Sequence, residues 1–124
     1  MVTIDEAEVM LNEIAESIPR EFYQGLNGGI LLLPEAKPSP YARNGDLWIM
    51  GEYCRGGGMG RLIKIYYGSF EKMYSQLPPQ EFKERLRQTL LHEFTHHMES
   101  LAGERGLEDW DERQIRDYLE RHSK

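Results

Sequence analysis

The chain has 124 residues and a formal net charge of −6 at pH 7, with 40% hydrophobic and 29% charged residues. This length fits one domain around one core, and the composition is too apolar for a disordered chain. No run is apolar enough to span a membrane, and the acidic balance argues against a phosphate backbone as partner. Because Cys54 is the single cysteine and the N-terminus is acidic rather than signal-like, we expect a cytoplasmic protein without nucleic-acid or membrane partners.

Most of the negative charge lies in the first 21 residues, which hold six acids and one base. The rest of the chain holds fifteen acids and fourteen bases, and is therefore nearly neutral. We interpret the acidic segment as the solvated face of a first helix. The alternative is an acidic surface through which the first helix docks a partner protein.

The first part of the chain combines a helix with a strand. Thr3 followed by Glu6 is a capping-box signal, and Ile4, Ala7 and Leu11 recur at helical spacing. Four elements are predicted here: a helix over 3–18, a short second helix within 20–26, a strand over 30–33 and a surface loop over 34–45.

The second part of the chain begins with two strands and continues as helix. The glycine-rich stretch 55–60 predicts a hairpin connection between antiparallel strands, and we consider a phosphate cradle there less consistent with the sequence. The predicted elements are strands over 46–53 and 61–70, a helix from Pro79 to Ala102 stopped by Gly103, and a last helix over 109–122. This order predicts an α+β domain: an N-terminal helix, a small sheet of about three strands with a hairpin, a long helix and a C-terminal helix.

The long helix carries the motif His92-Glu93-x-x-His96. Positions i and i+4 lie on one face of a helix, so two imidazoles so placed can converge on one metal ion. Glu93 stands beside the first histidine and can act as general base toward a water on that metal. The alternative is an exposed polar helix face that binds no metal.

The helical pattern separates the other polar residues of this stretch. His97 falls on the apolar arc with Leu90 and Phe94, which predicts a buried, hydrogen-bonded structural histidine. His92, His96 and Glu99 fall together on another side.

A catalytic zinc needs a third protein ligand. We favour Glu99 narrowly, although it could instead orient a ligating imidazole. The alternatives are the acids after Gly103, namely Glu104, Glu108, Asp109, Asp111 and Glu112. A donor to the carbonyl oxygen could come from Tyr66, Tyr67 or Arg85, each of which also has a structural interpretation.

The segment HEFTHHMESLAGERGLE, with the upstream NGGILLLP, GEYCRGGGMGR and IYYGSF, resembles the minimal zincin-like metallopeptidases of small bacterial proteins. The resemblance covers most of the chain to about Glu108. It implies the minimal zincin-like fold, one catalytic Zn²⁺ held by His92 and His96, Glu93 as general base, and a strand that aligns an extended peptide. The better-known branch continues with x-x-Gly-x-x-Asp, whereas this chain has Glu99 at the glycine position and Ala102 at the aspartate position.

The sequence is therefore consistent with three functions. The first is a zinc-dependent metallopeptidase that hydrolyses peptide bonds of short or unfolded chains through metal-activated water, with Glu93 as base. The second is a metal-binding module that does not hydrolyse. The third is a protein-interaction module with a metal-free helix face.

Overall fold

The computed structural model describes residues 1–42, 44–58 and 60–105, with side chains as far as Gly103. It is an α+β structure with helices at both ends of the described chain and strands between them. In chain order the helices and strands are α1 (Ile4–Ser17), a 3-10 helix (Arg20–Tyr23), β1 (Gly29–Leu33), β2 (Lys37–Pro38), β3 (Trp48–Ile49), β4 (Gly51–Gly57), β5 (Gly60–Tyr66), α2 (Tyr67–Tyr74) and α3 (Pro79–Arg105). None of the helices in this part of the chain is long and apolar enough to cross a membrane.

Helix α1 begins as its sequence predicts. The Thr3 side chain accepts a hydrogen bond from the Glu6 backbone, and the Glu6 side chain accepts one from the Thr3 backbone. This capping box satisfies two backbone donors that no helical carbonyl can reach. The apolar face of α1 is buried in the core through Ala7, Leu11 and Ile14.

The main sheet has three strands in the order β1-β5-β4. Strand β4 pairs antiparallel with β5, which confirms the predicted hairpin, and Gly57 faces Gly60 across its turn. Strand β1 pairs parallel with β5, from Gly29 opposite Leu62 to Leu33 opposite Tyr66. The order leaves β4 at the edge of this sheet.

Several predicted boundaries were wrong. The loop over 34–45 contains β2, which pairs with β3, and the predicted strand over 46–53 divides into β3 and the start of β4. The predicted strand over 61–70 ends at Tyr66, since helix α2 begins at Tyr67. The short helix within 20–26 is a 3-10 helix of four residues.

Helix α3 does not stop at Gly103 but continues to Arg105. Gly103 is not among the glycines with positive φ, so it does not take the left-handed conformation of a helix C-terminus. A glycine inside a helix costs only about 1 kcal/mol relative to alanine, which packing elsewhere on the helix can offset. The predicted helix over 109–122 lies outside the described residues.

Candidate functional site

An open groove of about 1320 Å³ lies between helix α3 and strand β4. Its walls include His92, Glu93, His96 and Glu99 from the helix. The strand contributes consecutive residues from Gly51 to Tyr53. Successive strand residues point to opposite faces of a sheet, so a groove lined by all three runs along the edge of β4.

The strand and the helix run alongside each other in the same direction. At one end, a Cβ on Gly51 would lie 2.9 Å from the Thr89 side chain. Farther along, the Tyr53 hydroxyl lies 2.8 Å from Nδ1 of His97. Glycine at position 51 therefore permits the close approach that brings β4 to the motif helix.

His92 and His96 both lie exposed on the groove side of α3. Their Nε2 atoms are 3.1 Å apart, and the two rings meet at an interplanar angle of 85°. Two nitrogens bound to one tetrahedral zinc at about 2.0–2.1 Å lie about 3.4 Å apart. The two imidazoles therefore fit a shared metal ion.

Glu93 points inward beside the two histidines, and only 5% of its surface is exposed. Burial, together with the negative charge of Glu52, raises the pKa of the Glu93 carboxyl to about 7, although a hydrogen bond from the Tyr53 backbone lowers it. The carboxyl therefore lies against β4 at the edge of the groove.

Glu99 lies near His96 but on the other side of its ring. Oε1 of Glu99 is 3.6 Å from Nδ1 of His96, whereas Nε2 of that ring faces His92. Among the described residues, no group of three histidine, cysteine, aspartate or glutamate side chains is arranged to hold a metal. The 3.6 Å separation is too long for a hydrogen bond, and Oε1 of Glu99 is buried with no hydrogen-bond partner among the described residues. Its place on the Nδ1 side agrees with the second of the roles considered for Glu99, which is to orient the His96 ring.

The other acids considered as ligands, Glu104, Glu108, Asp109, Asp111 and Glu112, lie outside the described side chains. Cys54 is a free cysteine, partly exposed on β4.

His97 is fully buried, as its position on the apolar arc predicts. Its Nε2 lies 2.8 Å from the carbonyl oxygen of Gln24, which can only accept, so this nitrogen carries the proton. Nδ1 then accepts a hydrogen bond from the Tyr53 hydroxyl. Burial and the charge of Arg61 lower the pKa of His97 against the effect of the Gln24 bond, which keeps the ring neutral.

Glu52 is a groove residue that no sequence pattern indicated. Lys37 Nζ donates to both of its carboxylate oxygens, at 2.7 and 2.8 Å, and the Tyr66 hydroxyl donates to Oε1 at 2.5 Å. Burial raises the pKa of Glu52, but the bonds from Lys37 and Tyr66 and the nearby lysine charges outweigh it, so the pKa is lowered. No spacing along the chain connects these residues, since Lys37 lies on β2, Glu52 on β4 and Tyr66 on β5, and the folded structure brings them together.

The three proposed carbonyl-oxygen donors lie at different places. Tyr66 contacts Glu52 and thus lies beside the groove. Tyr67 is buried and donates to the Val2 carbonyl, and Arg85 lies over the Tyr74 ring. Tyr66 is itself buried, and its link to the groove is the hydrogen bond to Glu52.

Arg55 and Arg61 occupy the end of the groove beyond His96. Nη1 of Arg55 donates to Oγ of Ser100 at 2.9 Å, and Nη2 of Arg61 donates to the same oxygen at 3.4 Å. All three residues line the groove. Neither arginine was predicted to have a role, because the glycine-rich stretch that contains Arg55 is typical of a hairpin connection.

Comparison with known proteins finds similarity to a solved structure. No family model matches the chain, and no curated protein sequence matches it. A solved structure described as a conserved hypothetical protein from Thermo thermophilus is 33% identical in sequence. The match covers 82% of this chain and 99% of that chain, with a TM-score of 0.73.

Proposed function

The chain belongs to the same family as the conserved hypothetical protein from Thermo thermophilus, and from its groove we propose that it is a zinc-dependent metallopeptidase with a minimal zincin-like fold. The observation that carries the proposal is the 3.1 Å separation of the His92 and His96 Nε2 atoms. The buried Glu93 carboxyl stands next to them on the same helix. This arrangement fits a metal and a base at one point of an open groove.

In this proposal His92 and His96 hold the zinc ion. When bound there, zinc supplies a Lewis acid that lowers the pKa of a coordinated water and polarises a carbonyl group. Glu99 orients the His96 ring from its Nδ1 side, and the third ligand comes from the acids after Gly103. Glu99 itself is the alternative third ligand.

Glu93 acts as the general base of the reaction. Its carboxylate accepts a proton from the attacking water and then donates it to the leaving amine nitrogen. The Tyr53 backbone N–H fixes this carboxylate against β4. The predicted carbonyl-oxygen donor Tyr66 already donates its single O–H to Glu52, so it would stabilise a substrate oxygen only by exchanging that bond.

The edge of β4 favours an extended peptide as substrate. An unpaired strand edge can bind a peptide through main-chain hydrogen bonds, and β4 is the outer strand of its sheet. The groove runs along this edge past the two histidines. Short peptides and unfolded chains therefore suit the site better than a folded protein.

Metal analysis of the purified chain combined with a peptide-cleavage assay tests the proposal. We expect about one equivalent of zinc in the wild type, an unchanged zinc content but about a hundredfold or greater loss of cleavage in Glu93→Gln, and loss of both in His96→Ala. Glu84→Gln is the matched control, since Glu84 lies on α3 and pairs with Arg87; it should keep both properties. Less than a tenth of an equivalent of zinc after growth with added zinc would contradict the proposal.

A metal-binding module without hydrolysis is the second candidate. It is favoured by the finding that the described residues contain no complete set of three ligands. It predicts zinc bound by His92 and His96 with no cleavage of any peptide, and no difference between the wild type and Glu93→Gln.

A further inference from the structure

Two guanidinium groups converge at the end of the groove beyond His96. Ser100 lies one helical turn after His96, a rise of about 6 Å along α3. Its hydroxyl oxygen accepts hydrogen bonds from Arg55 on β4 and from Arg61 on β5. A hydroxyl oxygen has two acceptor lone pairs, so Ser100 holds both side chains beside the groove.

We propose that Arg55, positioned by Ser100 and flanked by Arg61, binds a carboxylate group of the peptide that occupies the groove. This inference rests on the proposed function, because it defines the substrates as peptides with a carboxylate near the bond that is cut. The turn between His96 and Ser100 corresponds to about two residues of an extended peptide. The carboxylate is either the C-terminus of the peptide or an acidic side chain.

Arg55 has the chemistry that this role requires. A guanidinium has five N–H donors in a planar fork that matches a carboxylate. The side chain is exposed, and within the described ranges its one hydrogen bond is that to Ser100. Donors therefore remain for a ligand after Ser100 has fixed the position of the group.

The charges elsewhere in the groove favour a single carboxylate over a polyanion. Glu52, Glu93 and Glu99 line the same groove, and like charges repel a nucleic-acid backbone or a polyacidic chain. In the chain without metal, negative charge is therefore favourable near the two arginines and unfavourable beside Glu93 and Glu99. Such a distribution places a peptide in one register relative to His92 and His96.

A purely structural role for Arg55 makes a different prediction. In that case the bond to Ser100 serves only to attach the end of β4 to α3, and peptide affinity does not depend on a carboxylate. Measurement of binding separates the two roles. Loss of a purely structural bond lowers the stability of the protein, whereas loss of a carboxylate subsite removes the preference for peptides that carry a carboxylate.

The experiment uses the full chain with Glu93→Gln, so that binding is measured without cleavage, both with added zinc and with a chelator. Binding of fluorescein-labelled eight-residue peptides is measured by anisotropy, and three forms are compared. The first has a free C-terminus and no acidic side chain. The second has an amidated C-terminus and one glutamate, placed at a different position in each peptide of the set, and the third has an amidated C-terminus with glutamine in place of that glutamate. We expect at least one carboxylate form to bind about fivefold more tightly than the neutral form. The form that binds more tightly identifies the source of the carboxylate.

Variants of Arg55 complete the test. Arg55→Gln should abolish the preference, Arg55→Lys should retain part of it, and higher salt should weaken it in the parent chain. Arg87→Gln is the matched control, because it removes the same charge from an arginine that pairs with Glu84 on α3. Thermal unfolding shows whether each variant is folded.

Equal binding of the three peptide forms, no binding of any of them, or a preference that persists in folded Arg55→Gln would overturn the subsite. These outcomes are independent of the proposed function, because they are read from binding by a chain that lacks its base. A carboxylate preference without cleavage by the wild type would instead retain the subsite and reject the peptidase.

Discussion

At the scale of single residues, Tyr53 is the most important connection between the strand and the helix of the groove. Its backbone N–H bonds the Glu93 carboxyl, and its hydroxyl bonds Nδ1 of the buried His97. One residue of β4 thus positions the proposed base and also satisfies a histidine in the core. Loss of the hydroxyl would leave the His97 nitrogen buried without this partner.

Tyr53→Phe should lower the free energy of unfolding by about 1–2 kcal/mol, the usual cost of a buried polar atom that loses its hydrogen bond. Urea denaturation followed by circular dichroism measures the change. Tyr41→Phe is the control, since 84% of Tyr41 is exposed, and it should be neutral. Equal stability of the two variants would show that the Tyr53 hydroxyl contributes nothing.

The sequence predicted the histidine site where all its parts lie on one helix. The spacing of His92, Glu93 and His96 and the buried position of His97 follow from helical geometry alone. Lys37 and Glu52 are separated by 15 positions and meet only across the structure. No local sequence pattern predicts such a contact. The hydrogen bond between Arg55 and Ser100 was not predicted for the same reason.

At the scale of elements, the start of α2 depends on Gly68. A Cβ at this position would overlap the Ala36 nitrogen and would lie 2.5 Å from the Glu35 carbonyl carbon. The Gly68 N–H donates to the Glu35 oxygen at 3.1 Å. The first turn of α2 therefore packs directly on the backbone that follows β1.

This contact also explains a wrong prediction. The aromatic and β-branched residues of 61–70 favour a strand by composition, yet the structure changes to helix after Tyr66. Tertiary packing against residues 35–36 determines where the strand ends and the helix begins, and the β-propensity of single residues does not predict that position. The start of α1 at Thr3 was predictable because its capping box is local.

Gly68→Ala should destabilise the protein by about 1–3 kcal/mol or more, because the methyl group meets backbone atoms that cannot rotate away. Gly58→Ala is the matched control, since a Cβ there would meet nothing within 4 Å. Thermal unfolding of both variants measures the difference. If Gly68→Ala were as stable as the wild type, the backbone of residues 35–36 would be able to move away from the added methyl group without a loss of stability.

At the scale of the whole molecule, the proposed metal should couple its binding to folding. The two histidine nitrogens proposed to bind zinc belong to one helix, but Tyr53 from β4 bonds Glu93, which lies between them in the sequence. A ligand that binds only the folded state stabilises that state by mass action. The stability of the chain should therefore depend on zinc concentration.

Zinc at about 100 times its dissociation constant should stabilise the fold by about 2.7 kcal/mol, which would raise the midpoint of thermal unfolding by roughly 10 °C. His92→Ala should lose this shift. Glu99→Ala should keep most of it, since the Glu99 carboxylate faces Nδ1 of His96. Complete loss in Glu99→Ala would instead favour Glu99 as the third ligand, and differential scanning fluorimetry distinguishes the two results.

The parallel pairing of β1 with β5 has a consequence for the order in which the molecule assembles. The β4–β5 hairpin closes across a short turn, whereas Gly29 must find Leu62 across the whole intervening chain. Pairing of residues far apart in the sequence loses more chain entropy before any contact compensates the loss. The pairing of β1 with β5 therefore forms more slowly than the hairpin. A nascent hairpin and a nascent helix α3 can thus exist before the sheet is complete. The groove between them reaches its final shape only when the slowest strand arrives.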